Sequence, residues 1–165
     1  MVSVPFSNSG ANKNNNFKKD LNGENSGLVP PQNIQAEESV LGGILLDPDA
    51  IGRIADIIKP EAFYIGAHKE IFRTALMLHS QGKPTDLTSM SAWLADNGSL
   101  EKIGGNNKLV ELVENVSSTA SIEQVATLIS DKFLRRQLIR SGNEVVQLGF
   151  DQSQPTEEIL DKAEQ

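Results

Sequence analysis

The sequence predicts an all-α protein, a compact bundle of short helices followed by a long helical hairpin whose second arm is truncated. Three observations lead there. No stretch alternates apolar and polar residues with the period of two that a half-buried strand requires. Helix start and stop residues punctuate the chain at helix-length intervals from Pro30 to Gly105. Residues 121–149 then keep apolar side chains at three- and four-residue spacing, and no proline falls between Pro84 and Pro155 to break the run.

Residues 1–28 are read as a disordered tail. Seven of these 28 residues are asparagine, with glycine, serine and lysine filling much of the rest. Such a segment has too little apolar content to offset the entropy of ordering. Val29-Pro30-Pro31-Gln32 ends it, and a helical globular body is predicted over 29–116.

The first helix of the body, 35–46, is apolar at Ala36, Val40, Leu41, Ile44 and Leu45, with Glu37 and Glu38 in its first turn. Gly42 and Gly43 conflict with it locally, since two glycines cost about 2 kcal/mol in a helix interior. Their presence predicts that another helix crosses close against them. Asp47 as N-cap and Pro48 as first helical residue predict a second helix running through Ile58. A third, 65–80, offers Ile71, Phe72, Ala75, Leu76 and Leu78 to the core. Asp86 or Thr88 caps a fourth that carries Met90, Trp93 and Leu94 to Asn97. A fifth, 107–115, presents Leu109, Val110, Leu112 and Val113.

The hairpin is predicted over 117–165, and its long helix organises the chain. Ile122, Val125, Ile129 and Phe133 open the apolar pattern, which then drifts to Leu134, Leu138, Val145 and Leu148. At 1.5 Å per residue the helix spans about 43 Å. That is more than a small body needs, so its far end is expected to project. Ser141-Gly142 is its weak point, because a mid-helix glycine costs about 1 kcal/mol relative to alanine. Beyond a turn at 152–155, Thr156 is the expected N-cap of the second arm, with Glu157 and Glu158 in its first turn. The sequence stops at Gln165 barely two turns later.

Composition narrows the chemistry. The net charge is −7, unevenly placed, with residues 1–34 at +1 and the remainder at −8. An acidic body argues against a dedicated duplex-DNA binder, for which neutralising phosphates supplies most of the affinity. Without cysteine there is neither a disulfide scaffold nor a thiolate metal site. His68 and His79 cannot hold a metal without carboxylate help. No apolar run reaches the ~18 residues of a membrane span. Gly104-Gly105-Asn106-Asn107-Lys108 superficially resembles a phosphate loop. A true one needs G-x-x-x-x-G-K-[ST] after a buried strand, so a helix stop and restart explains the segment better. Glu37-Glu38 and Glu157-Glu158 sit in first helical turns, where the helix dipole is reason enough for them. No catalytic, cofactor-binding or metal-binding residue is therefore expected, and the chain by itself is not read as an enzyme. Lys132, Arg135, Arg136 and Arg140 form a basic stripe on the long helix. A solvated flank, a protein interface and a nucleic-acid contact are all consistent with it, the last making a stand-alone nucleic-acid-binding domain the alternative function.

Several motifs, taken in order, are similar to one family. Pro30-Pro31-Gln32, Ile34, Ala36-Glu37, Val40-Leu41-Gly42 and Leu46-Asp47-Pro48 resemble the opening of the bacterial DnaB-type replicative helicases. Phe63-Tyr64, His68, Ile71-Phe72, Pro84-x-Asp86-Leu87 and Ile103-Gly104-Gly105 continue the likeness. Leu134-Arg135-Arg136 and Ile159-Leu160-Asp161-x-Ala163-Glu164 complete it, over about residues 29–165. Ser118 departs from it, because many relatives have a proline before the long helix.

The resemblance implies an N-terminal domain of a hexameric, ATP-driven helicase that unwinds DNA in the bacterial cytoplasm. In that family hairpins pair into dimers, three dimers make a collar, and the C-terminal domain of primase docks there. A helicase loader is a further expected partner, and single-stranded DNA is expected only through the full ring. ATP and Mg belong to a motor domain absent from this chain. Helix geometry, rather than any motif, nominates the interface residues. On the long helix these are Phe133, Leu134, Arg135, Arg136, Leu138, Ile139, Arg140 and Val145, and on the second arm Ile159 and Leu160. Reversing Arg135 and Arg136 together to glutamate is expected to leave the body folded.

Overall fold

A computed structural model describes residues 28–116, 120–153 and 155–164. The expected tail, apart from Leu28, and Ser118 lie outside the described residues. Among those described, every regular element is helical. They are α1 (Ile34–Leu46), α2 (Ala50–Ile54), a 3-10 turn (Pro60–Ala62), α3 (Gly66–Ser80) and α4 (Leu87–Asp96). A second 3-10 turn (Glu101–Ile103), α5 (Gly105–Glu114), α6 (Ile122–Phe150) and α7 (Thr156–Ala163) follow. All of them belong to one compact unit, Pro31–Gln165.

Side-chain caps set three of the starts. Asn33 Oδ1 accepts the Ala36 N–H at 3.0 Å, Asp86 Oδ1 accepts the Ser89 N–H at 3.0 Å, and Ser121 Oγ accepts the Gln124 N–H at 3.3 Å. Each satisfies an amide that the first helical turn leaves unpaired. The bond from the Ser89 N–H holds the Asp86 carboxyl below its ordinary value.

The centre of the body is α1 rather than the long helix. It touches α2, α3, α4, α5 and α6, and Val40, Leu41, Ile44 and Leu45 are buried along it. The glycine pair inside it does what its sequence position predicts. A Cβ on Gly42 would collide with the Leu112 carbonyl oxygen and the Val116 side chain, so α5 crosses α1 backbone to backbone. A Cβ on Gly43 would lie 3.2 Å from Ile122 Cδ1 of α6. The long helix gives the core only two fully buried side chains, Ala126 and Ile129, supported by the partly buried Ile122, Val125 and Phe133.

Several boundaries differ from expectation: α5 begins at Gly105 rather than Asn107, and α2 ends at Ile54 rather than Ile58. Asp47 does not cap a helix. Its carboxylate accepts the Asp49 N–H at 3.1 Å and pairs with Arg53 at 3.1 Å, closing a turn around Pro48. The helix consequently starts at Ala50 and lasts five residues. At the far end Pro155 takes the N-cap position and Thr156 is the first helical residue.

Glu37 also differs from its dipole reading. It is 1% exposed and accepts from the Tyr64 N–H at 2.6 Å, the Ile65 N–H at 3.4 Å and His68 Nδ1 at 2.8 Å. The Glu37 carboxylate therefore ties the strap before α3, and the His68 ring in its first turn, to α1 from across the core. Lys108, the lysine of the loop-like segment, pairs with Glu38 at 3.1 Å and Glu111 at 3.3 Å. Burial pulls its ammonium down, and these two partners outweigh it and hold its pKa above the ordinary lysine value. A 3-10 turn rather than a strand precedes the glycines.

Substituting alanine at two glycines should therefore act in opposite directions. Gly42→Ala forces α5 off α1 and is expected to lower unfolding free energy by about 1–3 kcal/mol, as overpacking does. Gly142 has nothing within 4 Å of its would-be Cβ, so Gly142→Ala should stabilise by about 1 kcal/mol through helix propensity. Urea denaturation of both variants checks the pair of signs.

Candidate protein interface

Two faces of α6 carry different residues. At about 100° per residue, Ile122, Val125, Ala126, Ile129 and Phe133 share one face, and this face packs on α1, α2 and the first 3-10 turn. Leu134, Leu138 and Val145 fall roughly half a turn around from it. The drift seen in the sequence is thus a change of face at the point where the helix leaves the body.

Beyond Phe133 most apolar side chains face solvent, with Leu148 half-buried. Leu134 is 62% exposed and Leu138 75%, and Ile139 and Val145 are exposed as well. Leu160 on α7 is exposed, while Ile159 is half-buried where α7 meets α6. Val146 and Phe150 add to the exposed apolar surface and were not nominated from sequence. They fall seven and eleven residues after Ile139, a spacing that puts all three along one further stripe. The helix runs unbroken through Ser141 and Gly142. Arg140 and Glu144, paired at 3.0 Å, step over the glycine.

The basic stripe does not present four free cations. Arg135 bonds Asp131 at 2.9 Å, Lys132 lies 3.8 Å from the same carboxylate, and Arg140 is held by Glu144. Exposed pairs of this kind contribute little stability, yet they neutralise the charge a phosphate backbone would need.

Arg136 points the other way. Its guanidinium donates to the Pro31 carbonyl at 2.7 Å and the Ala62 carbonyl at 2.5 Å. It also lies 5.7 Å from the centre of the Tyr64 ring and 5.8 Å from that of Phe133, within cation–π range. Phe133 packs against the core, so these two nominated residues are part of the body's own structure. The expectation that Arg135 and Arg136 can be reversed together without cost to the body does not extend to Arg136, where a carboxylate would meet two carbonyl oxygens.

No group of three or more histidines, acids or cysteines able to hold a metal exists among the described residues. No described helix is long and apolar enough to cross a membrane.

Known proteins match this arrangement. The profile described as DnaB-like helicase N terminal domain covers residues 29–131. The replicative DNA helicase DnaB of Nostoc is 54% identical over 143 residues, 87% of this chain and 16% of that protein. Its namesake from Geobacillus stearothermophilus is 38% identical over 136 residues, 82% of this chain and 30% of that protein. The chain thus spans less than a third of either relative. The crystal structure of the N-terminal domain of DnaB helicase from Mycobacterium tuberculosis superposes with a TM-score of 0.77 at 36% identity, covering 82% of this chain and 96% of that one. A structure of a DnaB-like replicative helicase and its interactions with primase superposes with a TM-score of 0.64 at 30% identity, covering 79% and 31%. The chain belongs to the DnaB-like helicase N-terminal domain family.

The two neighbouring arginines should behave differently on truncation. Arg135→Ala loses only an exposed pair on its own helix and should cost under about 0.5 kcal/mol. Arg136→Ala removes two charge-assisted bonds to body carbonyls and should cost about 2–3 kcal/mol. Thermal or urea unfolding of both variants measures the gap.

Proposed function

We propose that this domain works as part of the collar of a hexameric, ATP-driven replicative helicase in the bacterial cytoplasm. It pairs with a second copy through α6 and α7 and offers the C-terminal domain of primase a docking surface. The observation that carries this reading is the row of exposed apolar side chains on the outer half of α6. Leu134, Leu138 and Val145 lie on the face turned away from the body, where no described element covers them. A helix that ends its packing on the body at Arg136 and carries exposed apolar side chains along a further fourteen residues is built to meet another chain. A likeness to a helicase characterised with its primase interactions supports the same direction.

In this reading ATP and Mg are used by a motor domain outside the described residues, single-stranded DNA is engaged only by the full ring, and a loader protein is a further partner. The domain itself supplies association and docking.

Like subunits default to twofold pairing, and the apolar face contributes about 25 cal/mol per Å² buried. Light scattering across a concentration series should show a weak monomer–dimer equilibrium for this chain. It should tighten when the second arm is lengthened with the residues that follow in a relative. Leu138→Asp should abolish pairing while circular dichroism stays unchanged. A strictly monomeric long form would make the hairpin an intramolecular element and sink the collar reading. Binding of the primase C-terminal domain is then measured by calorimetry on the same samples.

The isolated chain should also release no phosphate from ATP, since no strand-borne glycine loop is present among the described residues. Turnover above a protein-free blank that disappears in Lys108→Ala would overturn this.

A further inference from the structure

The body-facing stripe of α6 runs Ile122, Val125 and Ala126, Ile129, Phe133, and its next position is Arg136. Burial along that stripe ends before Arg136. Ala126 and Ile129 are fully buried, Phe133 is partly so, and the residues from Gln137 to Gln147 are all exposed. Arg136 is therefore the last side chain through which α6 is fastened to the body.

The fastening has three separate origins. The Pro31 carbonyl belongs to the segment entering α1, the Ala62 carbonyl to the 3-10 turn, and the Tyr64 ring to the strap leading into α3. A guanidinium presents donors in a fixed planar fork, so bonds to two carbonyls from different segments fix its orientation. They thereby fix the azimuth and tilt of the helix that carries it. We propose that Arg136 is a positioning residue that sets the direction in which the outer half of α6 leaves the body.

The geometry gives the clamp leverage. From Arg136 to Phe150 is about 21 Å of helix, so an added play of about 10° at the root moves the tip by about 4 Å. Without the clamp the last anchor retreats to Phe133, lengthening the free arm by three residues. Pairing of outer halves in the collar reading above would feel that change. The clamp itself is a property of the single chain and can be read without any pairing.

The chain has no cysteine, so spin labels can be placed cleanly at exposed sites. Ala95→Cys on α4 and Gln147→Cys on α6 give a pair across the exit point. Labelled chain is diluted into unlabelled protein so that pulsed electron resonance reads intramolecular distances alone. The expected result is a narrow distribution with Arg136 in place, broadened by about 4 Å in Arg136→Ala. Arg136→Lys keeps the charge but not the fork and should broaden it less. Arg135→Ala should leave it unchanged. Circular dichroism accompanies each sample, and if Arg136→Ala does not fold, the lysine variant decides. An unchanged width in the folded Arg136 variants would overturn the proposal, as would equal broadening in Arg135→Ala. Failure of the collar reading would show instead as loss of pairing by light scattering, with these widths unaffected.

Discussion

The body depends on a crossing that only glycine permits. α5 passes α1 so closely that a single methyl group at Gly42 would strike the Leu112 backbone. Gly43 beside it leaves room for Ile122 at the start of α6. Two residues with poor helix propensity thereby allow α1 to be enclosed by the other helices of the body. The cost of about 2 kcal/mol in propensity is set against the buried surface of Val40, Leu41, Ile44, Leu45, Leu109 and Leu112. At roughly 1.5–3 kcal/mol for each large side chain, packing wins by a wide margin.

A polar tie is laid through the same core. A buried carboxylate is tolerated only when its oxygens are matched by donors, and Glu37 is matched by two amides and an imidazole. Because those amides belong to Tyr64 and Ile65, the tie fixes where the strap before α3 runs. That strap in turn places the Tyr64 ring beside Arg136. The position of a side chain in the first turn of α1 thus reaches the exit of α6 through one backbone segment.

Most of the helices were legible because three- and four-residue periodicity and capping residues are local signals. The crossing at Gly42 was legible too, since two glycines in an otherwise apolar helix need a reason. What escaped were the contacts whose partners lie far along the chain. Glu37 in a first turn has a sufficient local explanation, and nothing in the sequence says that amides 27 and 28 residues away will claim it. Asp47 before Pro48 reads as a cap, but Arg53 and the Asp49 amide compete for the same carboxylate and won. Arg136 looked like one of four equivalent cations. Its place three residues after Phe133 and seven after Ile129 put it on the body-facing stripe, yet the carbonyls of residues 31 and 62 leave no trace in composition or pattern.

Why one helix should serve two surfaces follows from its periodicity. An α-helix that kept a single apolar face over 29 residues would either be buried along its length or expose a stripe continuous with the core. Here the apolar positions rotate about half a turn between Phe133 and Leu138, so the inner and outer faces are separate. Arg136 stands at the change, its alkyl stem on the inner face and its charge spent on carbonyls rather than on solvent. A nonpolar side chain there would extend the core outward and blur the limit between body and arm. An unpaired charge would favour solvent and loosen it. A guanidinium whose donors are taken up by fixed carbonyls ends the core at a defined residue, and the outer face begins from a fixed root.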